Sequence, residues 1–467
     1  MRYNSPITQL SIVAVTLVLT TAVRRLLRGY ILQETPEQLN LGYNREVVTS
    51  IVEIVSSFLG IFIVNLIESR FIFLFYTLTN IIYASSFIVM YRNHSSIYEH
   101  AAEIINMFGY SISRVATLVI VLAYPGEKWK ARALAVFLIL EYLSAAIGDL
   151  IAVNHSDSES RRYSGAIIFL CFSCVAPFAA MFIAPSQNIV RNSGVYLLTP
   201  STNLTNEIRE IVGMFANRYM LLLIPYMLIY PMLFGFAFVQ LPDTRLMVLF
   251  DFGKVLVIFL GQMLDIKWAG RRTRGIVGLA VVFVVFLASF GTVAASQYFH
   301  YNFSGLDPSW SYEQQREYMI GQVILQAYPI ISAATFFAGM VSGLIELYGY
   351  WVMGTLTNDL KSSARFVGIY HSIMALGGFI GFQISEHNPD KSKPMTTALF
   401  VGSALTLVSF ALALFVVRRI TETNDWSLAK IEGHSTDDIP VEPANDMSPV
   451  DISDIKYHHR AIEAYAM

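Results

Sequence analysis

Twelve runs of about 20 mostly apolar residues occupy this chain, each long enough to cross a bilayer as a helix. Their centres fall near Val15, Ser57, Ile81, Ala116, Leu143, Val175, Met227, Ile258, Phe283, Gly339, Ala375 and Leu407. Polar interruptions blur the ends of some runs by several positions. A backbone surrounded by hydrocarbon must satisfy its own hydrogen bonds, so the runs are expected as helices and the chain as an all-α polytopic membrane protein. An even number of spans puts both termini on one side. Composition agrees. The chain is 55% hydrophobic and 14% charged, whereas a soluble domain carries about a quarter charged residues. A net charge of −2 argues against a nucleic-acid partner or a polybasic surface. Met1 to Pro6 is too short for a cleavable signal and no A-x-A-like site follows, so the first helix is expected to be kept.

A repeat organises these runs. Lys361-Ser-Ser-Ala364-Arg365 echoes Lys128-Trp-Lys-Ala131-Arg132, with Arg365 lying 233 positions after Arg132. Gly377-Gly378 then corresponds to Ser144-Ala145, Ile380-Gly381 to Ile147-Gly148, and Ile384 to Ile151. An offset of nearly half the chain predicts two similar six-helix halves. The expected boundaries are a first bundle over residues 1–183, a linker over 184–217, a second bundle over 218–420 and a disordered acidic tail over 421–467. The halves differ by an insertion expected as an external loop, Ser296 to about Met319. Within the linker, Asn206 to Phe215 has apolar residues at helical spacing, as in a helix lying on the membrane surface.

Charge sets the orientation. Four turns, at Glu68–Arg70, Glu127–Arg132, Asp265–Arg274 and Asp359–Arg365, concentrate Arg70, Lys128, Lys130, Arg132, Lys267, Arg271, Arg272, Arg274, Lys361 and Arg365. The positive-inside rule assigns these turns, and both termini, to the cytoplasm. Three glycosylation candidates, Asn93, Asn154 and Asn302, fall in loops predicted external by the same orientation; a fourth sequon at Asn203 falls inside.

Ionisable residues within membrane helices are costly and are functional candidates by default. Glu141 shares a face with Ser144, Ala145 and Gly148, His371 with Met374, Gly378 and Gly381, and Glu346 with Gly339, Ser342, Gly343, Gly349 and Tyr350. Small residues mark helix–helix contact, so these three groups are expected to point inward. Arg114, deep in the fourth helix, needs a carboxylate that Glu141 or Glu346 would supply. Two readings remain open for this set: a central cavity that binds solute or relays protons, and a set of ion pairs holding helices together. Asp251 and Lys254 are expected to pair with each other. Asp149 and Glu53 are expected to reach water, and Arg24, Arg25 and Arg28 to act as snorkelling anchors or to draw an anion to an outer vestibule. Cys171 and Cys174 form a C-x-x-C inside an apolar run without a second ligand pair, which leaves ordinary helix packing.

The turn Gly261-x-x-x-Asp265 with Gly270-Arg271-Arg272 resembles the G-x-x-x-D-x-x-G-R-[KR] turn of the major facilitator superfamily, lengthened here by two residues. In that pattern the Asp holds an Arg of the neighbouring helix and locks the cytoplasmic side. The candidate gate comprises Asp265, Arg271, Arg272, Lys128, Arg132, Lys361 and Arg365. Further motifs are Tyr3-Asn-Ser-Pro6 with Gln9, Tyr124-Pro-Gly-Glu-Lys128, Pro185-Ser186 with Val190-Arg191-Asn-Ser-Gly194, and Thr244-Arg245. The most specific is Tyr350-Trp-Val-Met-Gly-Thr-Leu-Thr-Asn358-Asp359 with Ala364-Arg365. Together they resemble the fungal uncoordinated-ninety-three-like branch of that superfamily, over roughly Tyr3 to Arg419. The resemblance implies the major facilitator fold, twelve helices in two six-helix bundles, and alternating access by rocking one bundle against the other. The chain departs from the family's pattern at Arg24-Arg25-Leu-Leu-Arg28-Gly29, where a glycine-rich run is usual, and at Ser342 and Glu346.

Two functions follow as expectations. The first is a secondary transporter of a small solute or ion, proton-coupled through Glu346 or His371. The alternative is a non-transporting accessory protein that regulates a channel or escorts a membrane-protein client. No nucleophile, metal cluster or phosphate loop points to an enzyme, and no cofactor is expected.

Overall fold

The computed structural model describes residues 3–31, 39–93, 97–126, 129–154, 159–189, 204–216, 218–238, 244–303, 325–356, 360–386 and 396–421. Among these residues fourteen α-helices follow one another: α1 Pro6–Ile31, α2 Leu39–Leu66, α3 Ser69–Asn93, α4 Ile97–Ala123, α5 Lys130–Asn154, α6 Glu159–Met181, α7 Leu204–Ala216, α8 Arg218–Phe238, α9 Thr244–Lys254, α10 Val257–Asp265, α11 Arg271–Phe303, α12 Leu325–Leu356, α13 Leu360–Glu386 and α14 Thr396–Val417. Each of the twelve expected run centres lies in one of these helices or, for Ile258, in a helix interrupted nearby. Eleven spans among the described residues are long and apolar enough to cross a membrane, α9 and α10 counting as one. The twelfth, α8, follows the short α7 at a bend of 77°. The protein is a multi-pass integral membrane protein.

Helices α1 to α6 pack mainly on one another, and α8 to α14 do the same. The repeat is visible in how they pack. In the first group α5 lies on α1, where Gly148 meets the backbone of Ala22 and Leu26; in the second, α13 lies on α8, where Gly381 meets the carbonyl of Met232. Glycine is required at both positions because a Cβ there would collide with main chain. The groups meet through α2 on α13 and through α5 on α9 and α10. Helix α4 is buried on all sides from Ser111 to Ala123. Outward-facing Val15, Phe71, Phe178, Val284, Phe400 and Phe415 present an apolar perimeter suited to lipid.

One span is broken. Between α9 and α10 the ladder tightens to bonds three residues apart, Val255 N–H to Phe252 O at 3.2 Å and Leu256 N–H to Gly253 O at 3.3 Å. Gly253 and the facing Gly339 and Gly343 bring α9 against the backbone of α12 at this point. The expected external loop from Ser296 is helical at its start, since α11 continues to Phe303, and 304–319 lie outside the described residues. So do residues 422–467, where the disordered tail was expected, and linker residues 190–203. Residue 217 also lies outside the described residues, and the described part of the linker contains a short turn, Ser186–Asn188, and α7.

Candidate functional site

Arg114 sits nine residues from the end of α4, Glu346 ten from the end of α12, and Glu141 and His371 eleven from the starts of α5 and α13. At 1.5 Å per residue this places all four about 14–17 Å inside the same end of the bundle, near the middle of a bilayer's apolar slab. The lone apolar periodicity of these helices cannot explain charged residues at that depth. Their mutual pairing does.

The Arg114 guanidinium contacts the Glu141 carboxylate on the neighbouring α5 and donates to Glu346 Oε1 on α12 at 2.5 Å. Tyr142 Oη donates to the other Glu346 oxygen at 2.7 Å. Arg114, Glu141 and Glu346 are therefore one cluster, and it joins the two helix groups. His371 stands apart from direct contact with it. His371 Nδ1 lies 3.5 Å from Tyr350 Oη, and Nε2 lies 3.8 Å from Glu53 Oε1 on α2.

A second layer, missed in the sequence, lies nearer the opposite end. Arg25 donates to Asp251 Oδ2 on α9 at 2.6 Å and lies 3.3 Å from Asp149 Oδ2 on α5. Lys254 Nζ is 3.4 Å from Asp251 Oδ1 and lies over the rings of Tyr142, at 5.0 Å, and Phe250, at 4.4 Å. Two expectations change here, and the expected Asp251–Lys254 pair is present with Arg25 added to it. Arg25 is a half-buried tie between three helices instead of a snorkelling anchor. Asp149 is buried against it, and Asp251 has Arg25 as its shorter partner with Lys254 second. The cause is the close approach of α5 to α1 at Gly148, which brings Asp149 beside Arg25. Gly148 was the available signal. Arg24 stacks on Tyr110 with its guanidinium carbon 3.6 Å from the ring centroid. The side chain of Arg28 lies outside the described residues.

Several solved membrane transporters share this arrangement of helices. The Escherichia coli fucose:proton symporter in its outward conformation superposes with a TM-score of 0.58, covering 89% of this chain and 99% of its own, at 12% identity. The human organic anion transporter MFSD10 gives 0.56, covering 87% and 98%, also at 12% identity. The chain has the major facilitator fold. In facilitator terms the charged clusters belong to the first, fourth, fifth, eighth and tenth spans, with His371 on the eleventh. In sequence the chain is similar to UNC93-like protein 1 of Arabidopsis thaliana, 23% identical over 357 residues, which cover 73% of this chain and 74% of that protein. It is also similar to an UNC93-like protein of Schizosaccharomyces pombe, 24% identical over 291 residues, covering 58% and 55%. No family model matches.

At the end of the facilitator fold that carries α7, a second set of contacts ties the groups together. Asp265 accepts from the backbone N–H of Ala131 at 3.2 Å and of Arg132 at 2.7 Å, so it caps α5 across the interface. The expected partner was an Arg side chain; the Asp265 carboxylate instead reaches the positive end of a helix, which serves the same charge requirement. Arg132 stacks over Trp129, 4.9 Å from its centroid, and Lys130 donates to Gly354 O at 2.8 Å. Arg271 and Lys361 are buried, and Arg272 donates to Ile420 O at 3.4 Å. Lys128 lies outside the described residues.

Arg365 finds its partner in α7. It donates to both oxygens of Glu207, at 2.8 and 2.9 Å, while Asn65 on α2 donates to the same carboxylate at 2.7 Å. Burial alone would raise the Glu207 carboxyl; the Arg365 and Asn65 hydrogen bonds hold it below the usual carboxylate range. An adjoining face of α7 exposes Ile208, Val212 and Phe215. Of the sequons, Asn154 is exposed at the end of α5, and the side chains of Asn93 and Asn302 lie outside the described residues.

Proposed function

We propose that this chain is a secondary transporter of a small solute that works by alternating access, with Arg114, Glu141, Glu346 and His371 along the solute or proton path. The observation that carries the reading is the Arg114–Glu346 pair, a charge pair at mid-depth between two helix groups that such a cycle would have to separate. Groups buried this deep are difficult to account for as simple anchors to water. Asp265, Arg365 and their contacts form the inner gate in this reading, closed in the conformation described. The two bundles take residues 1–183 and 218–420, with 184–217 as the linker and both termini cytoplasmic. The chain falls in the fungal UNC93-like group, in a plasma or internal membrane, and carries glycans at Asn93, Asn154 or Asn302. Proton coupling through Glu346 or His371 belongs to the same proposal.

The fold does not choose the cargo, since its neighbours carry names as different as fucose and organic anions. Reconstituted vesicles test the reading directly: solute-dependent proton or solute flux is expected for wild type and its loss for Glu346→Gln. An accessory role, regulating a channel or escorting a client, is the second reading. It is favoured by the self-sufficiency of the second cluster, where Arg25 and Lys254 face Asp149 and Asp251 and need no solute to balance them. A stable membrane-protein partner with no flux for any solute class would select it.

A further inference from the structure

We propose that the solute is a small organic monocarboxylate and that Arg24 is its anchor, a reading that rests on the transport function proposed above. Away from the α7 end of the seam between the helix groups, four Lys and Arg side chains gather among the described residues: Arg24, Arg25, Arg114 and Lys254. Three of them have a carboxylate within 4.0 Å. Arg24 has none among the described residues. It lies on the same stripe of α1 as buried Val13, Leu17 and Thr20, so it faces the bundle and not the lipid. The side chain is half-buried, which leaves it within reach of an arriving molecule.

Its surroundings hold the guanidinium without neutralising it. Tyr110 fixes the plane by stacking, and among the described residues the one hydrogen bond from this guanidinium goes from Nη1 to the thioether of Met107 at 3.4 Å, a weak acceptor. A guanidinium has five donors in a rigid fork that matches a carboxylate. Such a cation with no carboxylate in contact leaves its donors poorly satisfied in an apolar interior, and a carboxylate ligand on the fork satisfies them. Tyr110 is one helical turn from Arg114 on α4, so an anion on Arg24 would sit next to the pairs that join the two groups. A phosphate dianion fits less well, because Glu141, Asp149, Asp251 and Glu346 already crowd the seam with negative charge.

Proteoliposomes holding the full chain test this with labelled benzoate, pyruvate, inorganic phosphate, glucose and choline. Benzoate or pyruvate should enter, with uptake lowered by about tenfold or more in Arg24→Gln, as expected for loss of charge-assisted hydrogen bonds. Arg24→Lys, which keeps charge but loses the fork, should fall between, and both variants should melt like wild type. Carboxylate uptake that Arg24→Gln leaves intact would overturn the assignment. Entry of phosphate in place of carboxylates would overturn the organic class, and entry of glucose or choline alone would overturn the anion site while leaving transport standing. Silence for every probe, from protein that melts normally, would overturn both this inference and the transport reading.

Discussion

Arg114 and Glu346, 232 positions apart in the chain, are joined by a 2.5 Å hydrogen bond between α4 and α12. Glu141 holds the same guanidinium from α5, so the arginine is shared between the two helix groups. Breaking one member of a buried pair leaves a charge with no compensation, typically about 3–5 kcal/mol. Glu346→Gln is expected to be milder than Arg114→Met, because Arg114 keeps Glu141 whereas Arg114→Met strands two carboxylates. Melting temperature in detergent should fall in that order, and an equal fall would refute the shared-arginine account.

The glycines at equivalent places in the two repeats should respond alike. Gly148→Val and Gly381→Val place a side chain against main chain of α1 and α8, so folded, monodisperse yield should collapse for both. Gly378→Ala, one turn before Gly381 with nothing within 4 Å of its Cβ, should stay within about 1 kcal/mol of wild type or gain slightly. Size-exclusion profiles of the three variants decide it.

Acid should loosen the α7 contact. Because the Glu207 carboxyl is held below its ordinary range, its contribution is fully present above the unfolded value of about 4.3 and is lost as pH falls through the lower folded value. Glu207→Gln should therefore melt lower than wild type at neutral pH and lose less on acidification below about pH 4. Parallel wild-type and variant melting curves at every pH would contradict the assignment.

Asp265→Ala removes the acceptor of two backbone N–H groups at the start of α5 and should cost about 1 kcal/mol or somewhat more. Asp265→Asn keeps one side-chain oxygen and should retain part of it. Thermal denaturation separates the two, and faster thiol labelling of Gly354→Cys in Asp265→Ala would report opening of that end.

Glycosylation checks orientation. Expressed in a eukaryotic host, the protein should shift on enzymatic deglycosylation, and the shift should shrink in Asn154→Gln if α5 ends outside the cell or in a lumen. A glycan on Asn203 would invert the assignment.

Much of this was legible in the residues. The apolar runs located the spans because hydrocarbon permits few other structures. Small residues beside Glu141 and Glu346 marked inward faces, and the geometry brings both to Arg114. Arg25, Asp149 and Asp251 were not legible together, since they lie on three helices whose approach is set by tertiary packing. Glu207 was closer to view: it shares a stripe of α7 with Ile211, beside the exposed Ile208, Val212 and Phe215, and an acid on the inner stripe of an amphipathic helix needs a cation there. Asp265 was expected to hold a side chain and holds helix-end amides, a choice that the lengthened turn leaves to three-dimensional placement.

The interruption between α9 and α10 has a consequence for movement. Asp251 and Lys254 end just before it, so the stretch that grips Arg25 is separated from the stretch that caps α5 by a few weakly bonded peptide units. The two ends of this span can therefore tilt semi-independently. In the transport cycle proposed above, one mouth of the molecule would unseal while the other stays shut, and a leak straight through the membrane would be avoided without any rigid lever running its full height.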